Sequence, residues 1–305
     1  MIIIHPKRVY RHVKMAITNC FWNYLVPDSW SIKHFFRIRV GYKCDLKNPR
    51  SFNEKIQWLK LHDHNPLYPL LIDKIRVKEM VSRELGAEYV IPMIGRGYSR
   101  FTDIPFDELP EQFVLKCNHD AASTVVCKDK SSFDFEKARR KIEKALRTNY
   151  YHYDGKQWGY KDIKPQVFVE KYMQNGKDAE LNDYKFLMFN GECKCIFLYA
   201  ERFSGYGLKM NSYDSNWNLL PFTRHYLNTN SPIVKPDNLD KMLEVANKLA
   251  EMVHNDFVRI DLYDINGRIY FGEFTFYPGG GFEEFYPVEW DYVLGSWINL
   301  TEKTK

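Results

Sequence analysis

The sequence predicts an α+β fold in which strands pair as antiparallel hairpins. Two Asn-Gly dipeptides, at residues 190–191 and 266–267, each separate two apolar runs of strand length, which is the strongest short-range signal for a hairpin. Helical patterns fall between the strands at irregular intervals, whereas a doubly wound parallel sheet requires regular alternation of strand and helix. The 305 residues are 45% apolar and 16% aromatic, which is enough for one large domain or two modest ones.

Each predicted element has a local signal. Ser51 and Glu54 have the spacing of a capping box and predict a helix start, and Gly86 predicts the end of the next helix. Apolar residues at helical or alternating spacing define the other elements, and the turn-rich segment 95–110 predicts an internal boundary. In chain order the predicted elements are helices at 51–61 and 70–85, strands at 90–94, 113–117 and 124–128, a helix at 133–146, strands at 166–173, 184–189 and 193–200, a helix at 239–253, and strands at 257–265 and 268–276.

Composition and motifs exclude several classes of protein. No run of about 18 apolar residues occurs, so the sequence predicts no transmembrane helix. The apolar stretch at residues 1–4 is too short for the core of a signal peptide. The motifs G-x-x-x-x-G-K-[ST], G-x-G-x-x-G, H-E-x-x-H and G-x-S-x-G are absent, which disfavours the P-loop, Rossmann and zincin classes.

The cysteines do not have the spacing of a disulfide framework. No C-x-x-C pair occurs, and the chain is far longer than the small secreted domains that depend on disulfides. We therefore predict reduced and mostly buried thiols in a cytoplasmic protein. The six cysteines are Cys20, Cys44, Cys117, Cys127, Cys193 and Cys195.

Basic residues are concentrated at the N-terminus. The whole chain has a formal charge of +5, but residues 1–43 contain eight Lys or Arg and one acid, Asp28, so this segment alone is +7. Apolar residues between 9 and 20 follow helical spacing beside the basic ones, which predicts a basic amphipathic helix. Such a helix could pack on the domain, contact an anionic membrane or bind nucleic acid. Because the overall charge is small, we predict no nucleic-acid partner.

Polar side chains interrupt the apolar pattern of the last hairpin at Arg259, Asp261, Glu273 and Thr275. Two carboxylates on one sheet face can hold a hard cation such as Mg²⁺ through oxygen ligands. A two-residue turn puts Asp261 and Glu273 on opposite faces, whereas a three-residue loop makes them diagonal neighbours and sets Arg259 opposite Glu273. A sheet with an exposed polar face is the alternative to a metal site.

Lysines stand inside three other predicted strands, at Lys116, Lys171 and Lys185. A lysine in a buried strand is rare unless it pairs with an anion. The small residues at 121–123, in the turn after Lys116, would let backbone N–H groups approach a phosphate. Cations that converge on two carboxylates indicate Mg²⁺ and a polyphosphate, because phosphoryl transfer needs charge neutralisation and little covalent help.

Eight short segments, spread in order over roughly residues 41–290, carry a family pattern. They are LKNPRSFNEKIQWLKL at 46–61, DK at 73–74, FVLKCNH at 113–119, VEKY at 169–172, DYKFLMFNG at 183–191, RID at 259–261, EFT at 273–275 and PGGG at 278–281. Together they resemble the ATP-grasp superfamily, and specifically its TupA-like branch. That branch is associated with bacterial cell-surface polysaccharide and teichuronopeptide synthesis.

The resemblance implies an ATP-grasp fold, in which two α+β subdomains clasp a nucleotide, with a helical N-terminal region. It also implies ATP and Mg²⁺ as cofactors. Four segments are expected: a basic amphipathic segment at 1–43, a helical region at 44–110, a lid subdomain at 111–175, and a C-terminal subdomain with the metal site at 176–305.

The resemblance also implies roles in nucleotide binding. Lys116 resembles the strand lysine that holds the α- and β-phosphates. His119 and Ser123 bound a segment that resembles the mobile phosphate-covering loop, although that loop is usually rich in glycine and here contains Asp120. A carboxylate near phosphates is unfavourable, so we expect that of Asp120 to point away. Three residues resemble the hinge that takes the adenine edge: Glu170, Lys171 and Tyr172.

The last hairpin resembles the metal and catalytic part of such a site. Asp261 and Glu273 resemble the Mg²⁺ ligands. Thr275 stands at the third metal position, where the superfamily commonly has Asn, and a hydroxyl oxygen can also ligate Mg²⁺. Arg259 resembles the group that stabilises the charged intermediate, and Lys185 would be a further catalytic cation near the nucleotide.

The implied reaction is ADP-forming ligation, in which a carboxylate takes the γ-phosphoryl group and an amine then attacks the acyl phosphate. The expected acceptor is a carboxylate-bearing sugar or amino acid of a surface polysaccharide or capsule. The enzyme would work in the cytoplasm, with residues 1–43 as a possible peripheral contact on the inner face of the membrane. Three alternatives stay open: a glycan kinase with the same nucleotide site, a nucleotide-sugar glycosyltransferase, and a non-catalytic binding module. A glycosyltransferase would be expected to have an Asp-x-Asp metal motif, whereas this chain has only Asp261 and Asp264, which are separated by two residues.

Overall fold

The protein is described here by a computed structural model that covers residues 21–153, 155–175, 182–200 and 208–300. The helix predicted between residues 9 and 20 lies outside these ranges. No helix within them is both long enough and apolar enough to cross a bilayer. The five cysteines within them are buried free thiols, as predicted.

Helices contribute the N-terminal region and flank two sheets. Those described are α1 (Asp28–Arg39), α2 (Phe52–His62), α3 (Tyr68–Ile72), α4 (Arg76–Leu85), α5 (Phe135–Leu146), α6 (Tyr150–Tyr153), α7 (Leu239–Val253) and α8 (Glu289–Ser296). A short π-helical turn, Phe21–Leu25, precedes α1.

Eleven strands are present in the described ranges, and all the strand pairs within the sheets are antiparallel. They are β1 (Met93–Tyr98), β2 (Phe113–Cys117), β3 (Val125–Cys127), β4 (Val167–Lys171), β5 (Asp183–Phe189), β6 (Glu192–Ala200), β7 (Lys209–Tyr213), β8 (Thr223–Arg224), β9 (Phe257–Ile265), β10 (Arg268–Thr275) and β11 (Phe285–Tyr286). The first sheet has the order β1-β4-β2-β3, the second β10-β9-β5-β6-β7, and β8 pairs with β11. The predicted α+β class and both Asn-Gly hairpins are confirmed.

Each of the two larger sheets has one face in a hydrophobic core. In the first sheet, Leu115 and Val169 pack with Ala138 and Ile142 of α5. The second sheet packs on α7 and on the N-terminal helices, in a larger core that includes Phe186. The opposite face of each sheet carries the charged strand residues, and these faces meet across a cleft. The strand β1 lies in the segment predicted as the helical N-terminal region, and it hydrogen-bonds to β4 of the first sheet.

Local sequence signals predicted most ends of helices and strands to within two or three residues of their positions in the structure. The capping box at Ser51 and Glu54 is formed as predicted, with both reciprocal hydrogen bonds. The single helix predicted at 70–85 is wrong: the chain forms α3 and α4 with a break at Asp73. The Asp73 carboxylate accepts hydrogen bonds from the backbone N–H groups of Ile75 and Arg76, and this cap starts a new helix.

Packing of α8 against the start of α2 joins the end of the chain to its N-terminal region. Asp291 of α8 accepts hydrogen bonds from the backbone and side chain of Asn53. At Gly295 an added Cβ would lie 2.3 Å from the carbonyl oxygen of Arg50 and 2.6 Å from the backbone nitrogen of Phe52. Only a glycine lets the two backbones approach this closely.

We expect Gly295→Ala to lower the free energy of unfolding by about 1–3 kcal/mol, because the new methyl group must push two backbones apart. The neighbouring substitution Ser296→Ala, at an exposed position, should change it by less than about 0.5 kcal/mol. Urea titrations of both variants measure the difference. Equal stability of the two variants would contradict the close approach of α8 and α2.

Candidate functional site

A cleft of about 720 Å³ separates the two larger sheets. Lys116 of β2 and Glu170 of β4 line it from the first sheet, and Lys185 of β5 and Asp261 of β9 line it from the second. Residues 121–124, in the turn between β2 and β3, close one end. The cleft therefore collects charged residues that each stand within an otherwise apolar strand.

The two carboxylates of the last hairpin face each other because β10 contains one extra residue. Arg268 pairs with Ile265, so the turn has two residues, and regular pairing beyond it would set Asp261 opposite Gly272. The register shifts between Phe271 and Glu273, and Glu273 then pairs directly with Asp261. The expectation that a two-residue turn separates these carboxylates is therefore wrong, because a bulge reverses the alternation.

The bulge also changes the place of Arg259 in the hairpin. Arg259 pairs with Thr275 across the strands, not with Glu273 as the three-residue loop would have required. At Gly272 an added Cβ would lie 3.0 Å from the Asp261 carbonyl oxygen and 3.0 Å from the Tyr263 ring. A glycine at this position lets the bulged strand stay close to its neighbour.

Asp261 is held by two cations. Arg259 donates from Nε to Oδ1 at 2.6 Å and from Nη2 to Oδ2 at 2.7 Å. Lys185 Nζ lies 2.5 Å from Asp261 Oδ2 and 2.6 Å from the Oδ2 atom of Asp183. Burial raises the pKa of Asp261 even though Arg259 and Lys185 oppose the shift. The two hydrogen bonds from Arg259 fix the plane of its guanidinium relative to that of the Asp261 carboxylate.

Glu273 is surrounded by three donors. Lys74 Nζ lies 3.1 Å and Arg259 Nη2 3.2 Å from its carboxylate oxygens, and the Thr275 hydroxyl donates at 3.2 Å. Burial would raise the pKa of Glu273, but Lys74 and Arg259 outweigh burial and lower it to about 2. The carboxylate is therefore ionised at neutral pH.

On the opposite wall, Glu170 lies between two lysines. Lys78 Nζ and Lys116 Nζ lie 2.6 Å and 2.5 Å from its two carboxylate oxygens. Burial lowers the pKa of Lys78, although Glu170 opposes the shift. Burial would raise the pKa of Glu170, but Lys116 and Lys78 outweigh burial and lower it. Each lysine thus holds a different oxygen of the Glu170 carboxylate.

The turn after β2 is tied down by its polar side chains. His119 is buried, with Nε2 3.1 Å from the carbonyl oxygen of Ala145, and it does not line the cleft. The Ser123 hydroxyl donates to the Asp120 carboxylate at 2.6 Å and accepts from the Cys117 backbone at 2.8 Å. The Asp120 carboxylate is thus engaged within the turn, and residues 120–124 line the cleft.

The structure brings most of the predicted site residues to this one cleft. Those that line it are Lys116, Ser123, Glu170, Lys171, Tyr172, Lys185, Arg259, Asp261 and Glu273. The two that do not are His119, which points into the first core, and Thr275, which contacts Glu273.

Sequence reasoning gave no role to several residues at the cleft. Lys74 and Asp183 contact predicted site residues directly, and Tyr199 and Tyr263 line the same space. Asp183 could have been found, because it stands two residues before Lys185 and so shares its sheet face. Lys78 lies in α4 and Lys74 in the break before it. Lys74 belongs to the DK segment of the family pattern, but no local pattern marks either lysine as a partner of distant strands.

The donor set fits Mg²⁺ and phosphate. Mg²⁺ in nucleotide sites takes one or two carboxylates from the protein and completes its shell with phosphate oxygens and water. Asp261 and Glu273 are such a pair, and the described part of the chain contains no group of three or more His, Cys, Asp or Glu that could hold a metal. Lysine and arginine side chains next to these carboxylates can receive the phosphates of a nucleotide.

Comparison with known proteins gives a family match over the part of the chain that contains the cleft residues. A family model described as "TupA-like ATPgrasp" matches residues 54–299. No protein of curated function matches the sequence.

Several solved structures are similar to the chain at low sequence identity. D-alanine–D-alanine ligase from Bacillus anthracis complexed with ATP is 16% identical with a TM-score of 0.39, over 68% of this chain and 53% of that chain. The ATP-grasp ligase PsnB complexed with minimal precursor is 12% identical with a TM-score of 0.44, over 79% and 63%. N5-carboxyaminoimidazole synthetase from Staphylococcus aureus is 17% identical with a TM-score of 0.39, over 68% and 44%. The chain spans less than two thirds of each of these structures.

We expect Gly272→Ala to weaken binding of a non-hydrolysable ATP analogue with Mg²⁺ by about tenfold, because it displaces Asp261 relative to Glu273. The control is Gly267→Ala, in the turn of the same hairpin, where φ is +78° and no atom lies within 4 Å of the new Cβ. This control should lose about 1–2 kcal/mol of stability from the left-handed backbone and keep its nucleotide affinity. Calorimetric titration and urea denaturation separate the two effects. Equal loss of affinity in both variants would contradict a local role for the bulge.

Proposed function

Because the chain belongs to the TupA-like ATP-grasp family, we propose that it is an ATP- and Mg²⁺-dependent ligase that joins a carboxylate to an amine. One observation carries the proposal. Asp261 and Glu273 face each other on β9 and β10, with Arg259 and Lys185 in contact, across a cleft from Lys116. This arrangement supplies both kinds of group that a metal-bound triphosphate requires.

In this proposal the nucleotide lies along the cleft. The adenine edge contacts the chain at Glu170, Lys171 and Tyr172. The phosphates are held by Lys116, by Lys185 and by the backbone N–H groups of residues 121–123. Lys74, which contacts Glu273 and the backbone oxygen of Asp120, adds a further cation at the phosphate end.

Asp261 and Glu273 would hold Mg²⁺, with the Thr275 hydroxyl as a third oxygen donor within reach of Glu273. When bound, the ion would neutralise charge on the β- and γ-phosphate oxygens. Arg259 and Lys185 then exchange part of their carboxylate contacts for contacts to the transferring phosphoryl group. These side chains are already ordered by Asp261 and Asp183, so little reorganisation is needed at the moment of reaction.

The proposed reaction has two steps. A carboxylate oxygen of one substrate attacks the γ-phosphorus, the bond to the β-phosphate oxygen breaks, and ADP and an acyl phosphate result. An amine nitrogen then attacks the acyl carbon, phosphate leaves with the bonding electrons, and the nitrogen loses a proton to solvent. Residues 121–123, which line the cleft, would cover the phosphates and help to exclude water from the acyl phosphate.

The resemblance to the TupA-like branch supports a finer proposal about the pathway. We propose that the carboxylate belongs to a sugar or an amino acid used in a bacterial cell-surface polysaccharide, such as a capsule. The enzyme would act in the cytoplasm, with a peripheral contact at the inner face of the membrane.

We expect Asp261→Asn to abolish most of the gain in ATP affinity that Mg²⁺ provides, a change of about tenfold or more in Kd. Affinity for the analogue without Mg²⁺ should not fall, because Arg259 and Lys185 lose a competing carboxylate and keep their positive charge for the phosphates. Calorimetric titrations with and without Mg²⁺ measure both quantities, with a UDP-sugar as the comparison ligand. The control is Asp264→Asn, an equal change on the same strand whose side chain contacts Asn238 and the Gly267 N–H outside the cleft.

Two results would contradict the nucleotide site. One is the absence of ATP binding by the unaltered protein together with binding of the UDP-sugar, which would favour a glycosyltransferase. The other is an identical Mg²⁺ response of the Asp261 and Asp264 variants.

A trapping experiment separates ligase from kinase. With ATP, Mg²⁺ and a panel of uronic acids and amino acids, hydroxylamine should intercept the acyl phosphate and yield a hydroxamate together with ADP. A kinase would release ADP with hydroxyl-bearing glycans and form a stable phosphate ester, and no hydroxamate would appear. Lys185→Met serves as the inactive control, since it removes a cation from the phosphate site.

A further inference from the structure

An exposed surface of apolar and basic side chains lies on the outer side of α1 and the turn before it. We name it the outer α1 surface and define it by Leu25, Trp30, Lys33, Arg37 and Ile38. Leu25 is 74% exposed, Trp30 67% and Ile38 65%. A tryptophan and two aliphatic side chains exposed together on one short segment are typical of a surface that contacts a partner.

The spacing of these residues puts them on one side of the helix. Trp30, Lys33 and Arg37 stand at intervals of three and four residues and so form one stripe. The opposite side of α1 carries Ile32 and Phe36, and both are fully buried. The helix is thus anchored to the protein by its inner side, and its outer side is free to meet a flat surface.

The charge of the outer α1 surface has one sign. Asp28 is the sole acid in residues 1–43. Its carboxylate lies 3.0 Å from Lys156 Nζ and accepts a hydrogen bond from the Tyr151 hydroxyl, so its charge is balanced on the inner side. The stripe of α1 that contains Lys33 and Arg37 therefore has no acidic residue.

This combination matches an anionic bilayer. Tryptophan prefers the headgroup level of a membrane, and lysine and arginine are attracted by the negative potential of the cytoplasmic leaflet. The side chain of Ile38 supplies apolar area at the boundary with the acyl chains.

The inner side of α1 packs on the segment around the Pro278–Gly281 turn. Phe36 and Val40 pack on Phe282, the residue that follows the Pro278–Gly281 turn. Lys60 Nζ lies 4.3 Å from the Phe282 ring centroid and donates a hydrogen bond to the Gly280 carbonyl oxygen. Because a helix is about 10 Å thick, only α1 separates the outer α1 surface from this turn.

We propose that the outer α1 surface binds an anionic lipid bilayer and so holds the Phe282 side of the molecule next to the membrane. Membrane binding extends the proposed function, and the inference about the acceptor rests on that function. A ligase held in this way meets an acceptor that is itself anchored in the bilayer, so the class of acceptor would be a membrane-linked glycan precursor rather than a free sugar.

Flotation of the full chain with lipid vesicles tests the proposal. The protein should float with phosphatidylcholine vesicles that contain roughly one third phosphatidylglycerol, and not with pure phosphatidylcholine. Lys33→Glu with Arg37→Glu should reduce the bound fraction at least about tenfold, and Trp30→Ala several-fold. The control is Arg140→Glu with Lys144→Glu, which makes the same charge change at the same spacing on exposed positions of α5. It should bind like the unaltered protein.

Three outcomes would overturn the proposal. They are no flotation of the unaltered protein, equal loss in the α1 and α5 double variants, and loss on reversal of Arg8 and Arg11 while the Lys33 and Arg37 variant still floats. Flotation is measured without nucleotide, and nucleotide binding is measured on the same variants without lipid. Failure of the membrane surface and failure of the ATP site therefore give different results.

Discussion

The cleft depends on a single constraint, which is that Asp261 and Glu273 must project from the same face of the second sheet. A hairpin with a two-residue turn and regular pairing would send them to opposite faces. One extra residue at Gly272 restores them to the same face, and the absence of a side chain there lets the bulged strand remain against β9. Arg259, Lys185 and Lys74 then have two anions to bind, and the charge pattern of this wall of the cleft follows from that geometry.

The same charges explain how the cleft is stable before a ligand arrives. A buried cation without a partner is strongly destabilising, and Lys185, Arg259 and Lys78 each contact a carboxylate. Lys116 contacts Glu170, which also contacts Lys78, so in the proposed function Glu170 would keep one partner when Lys116 binds a phosphate. Polar side chains also stabilise the turn between β2 and β3, where His119 and Ser123 form hydrogen bonds. Their buried hydrogen bonds determine its shape and leave its backbone beside the cleft.

Much of the fold was predictable because its signals are local. The capping box, the two Asn-Gly turns and the apolar pattern of α7 each involve residues a few positions apart. The charged residues of the strands could also be identified, since Lys116, Lys185 and Asp261 are conspicuous inside apolar runs. Lys74 and Lys78 could not be identified in this way. Lys78 lies in α4 and Lys74 in the break before it, and their partners are distant strand residues whose proximity arises only when the N-terminal helices pack on the sheets.

The sequence by itself determined most of the helices and strands, the antiparallel pairing and the set of charged strand residues, because hydrogen bonding in turns and caps and the burial of apolar side chains act over short stretches of chain. Only the tertiary structure decided the register of β10 after Gly272 and the groups that neutralise each charge. These depend on whether two backbones can approach closely and on which ions meet in a low-dielectric space. Neither is a property of any one segment, since both arise from contacts between residues far apart in the chain.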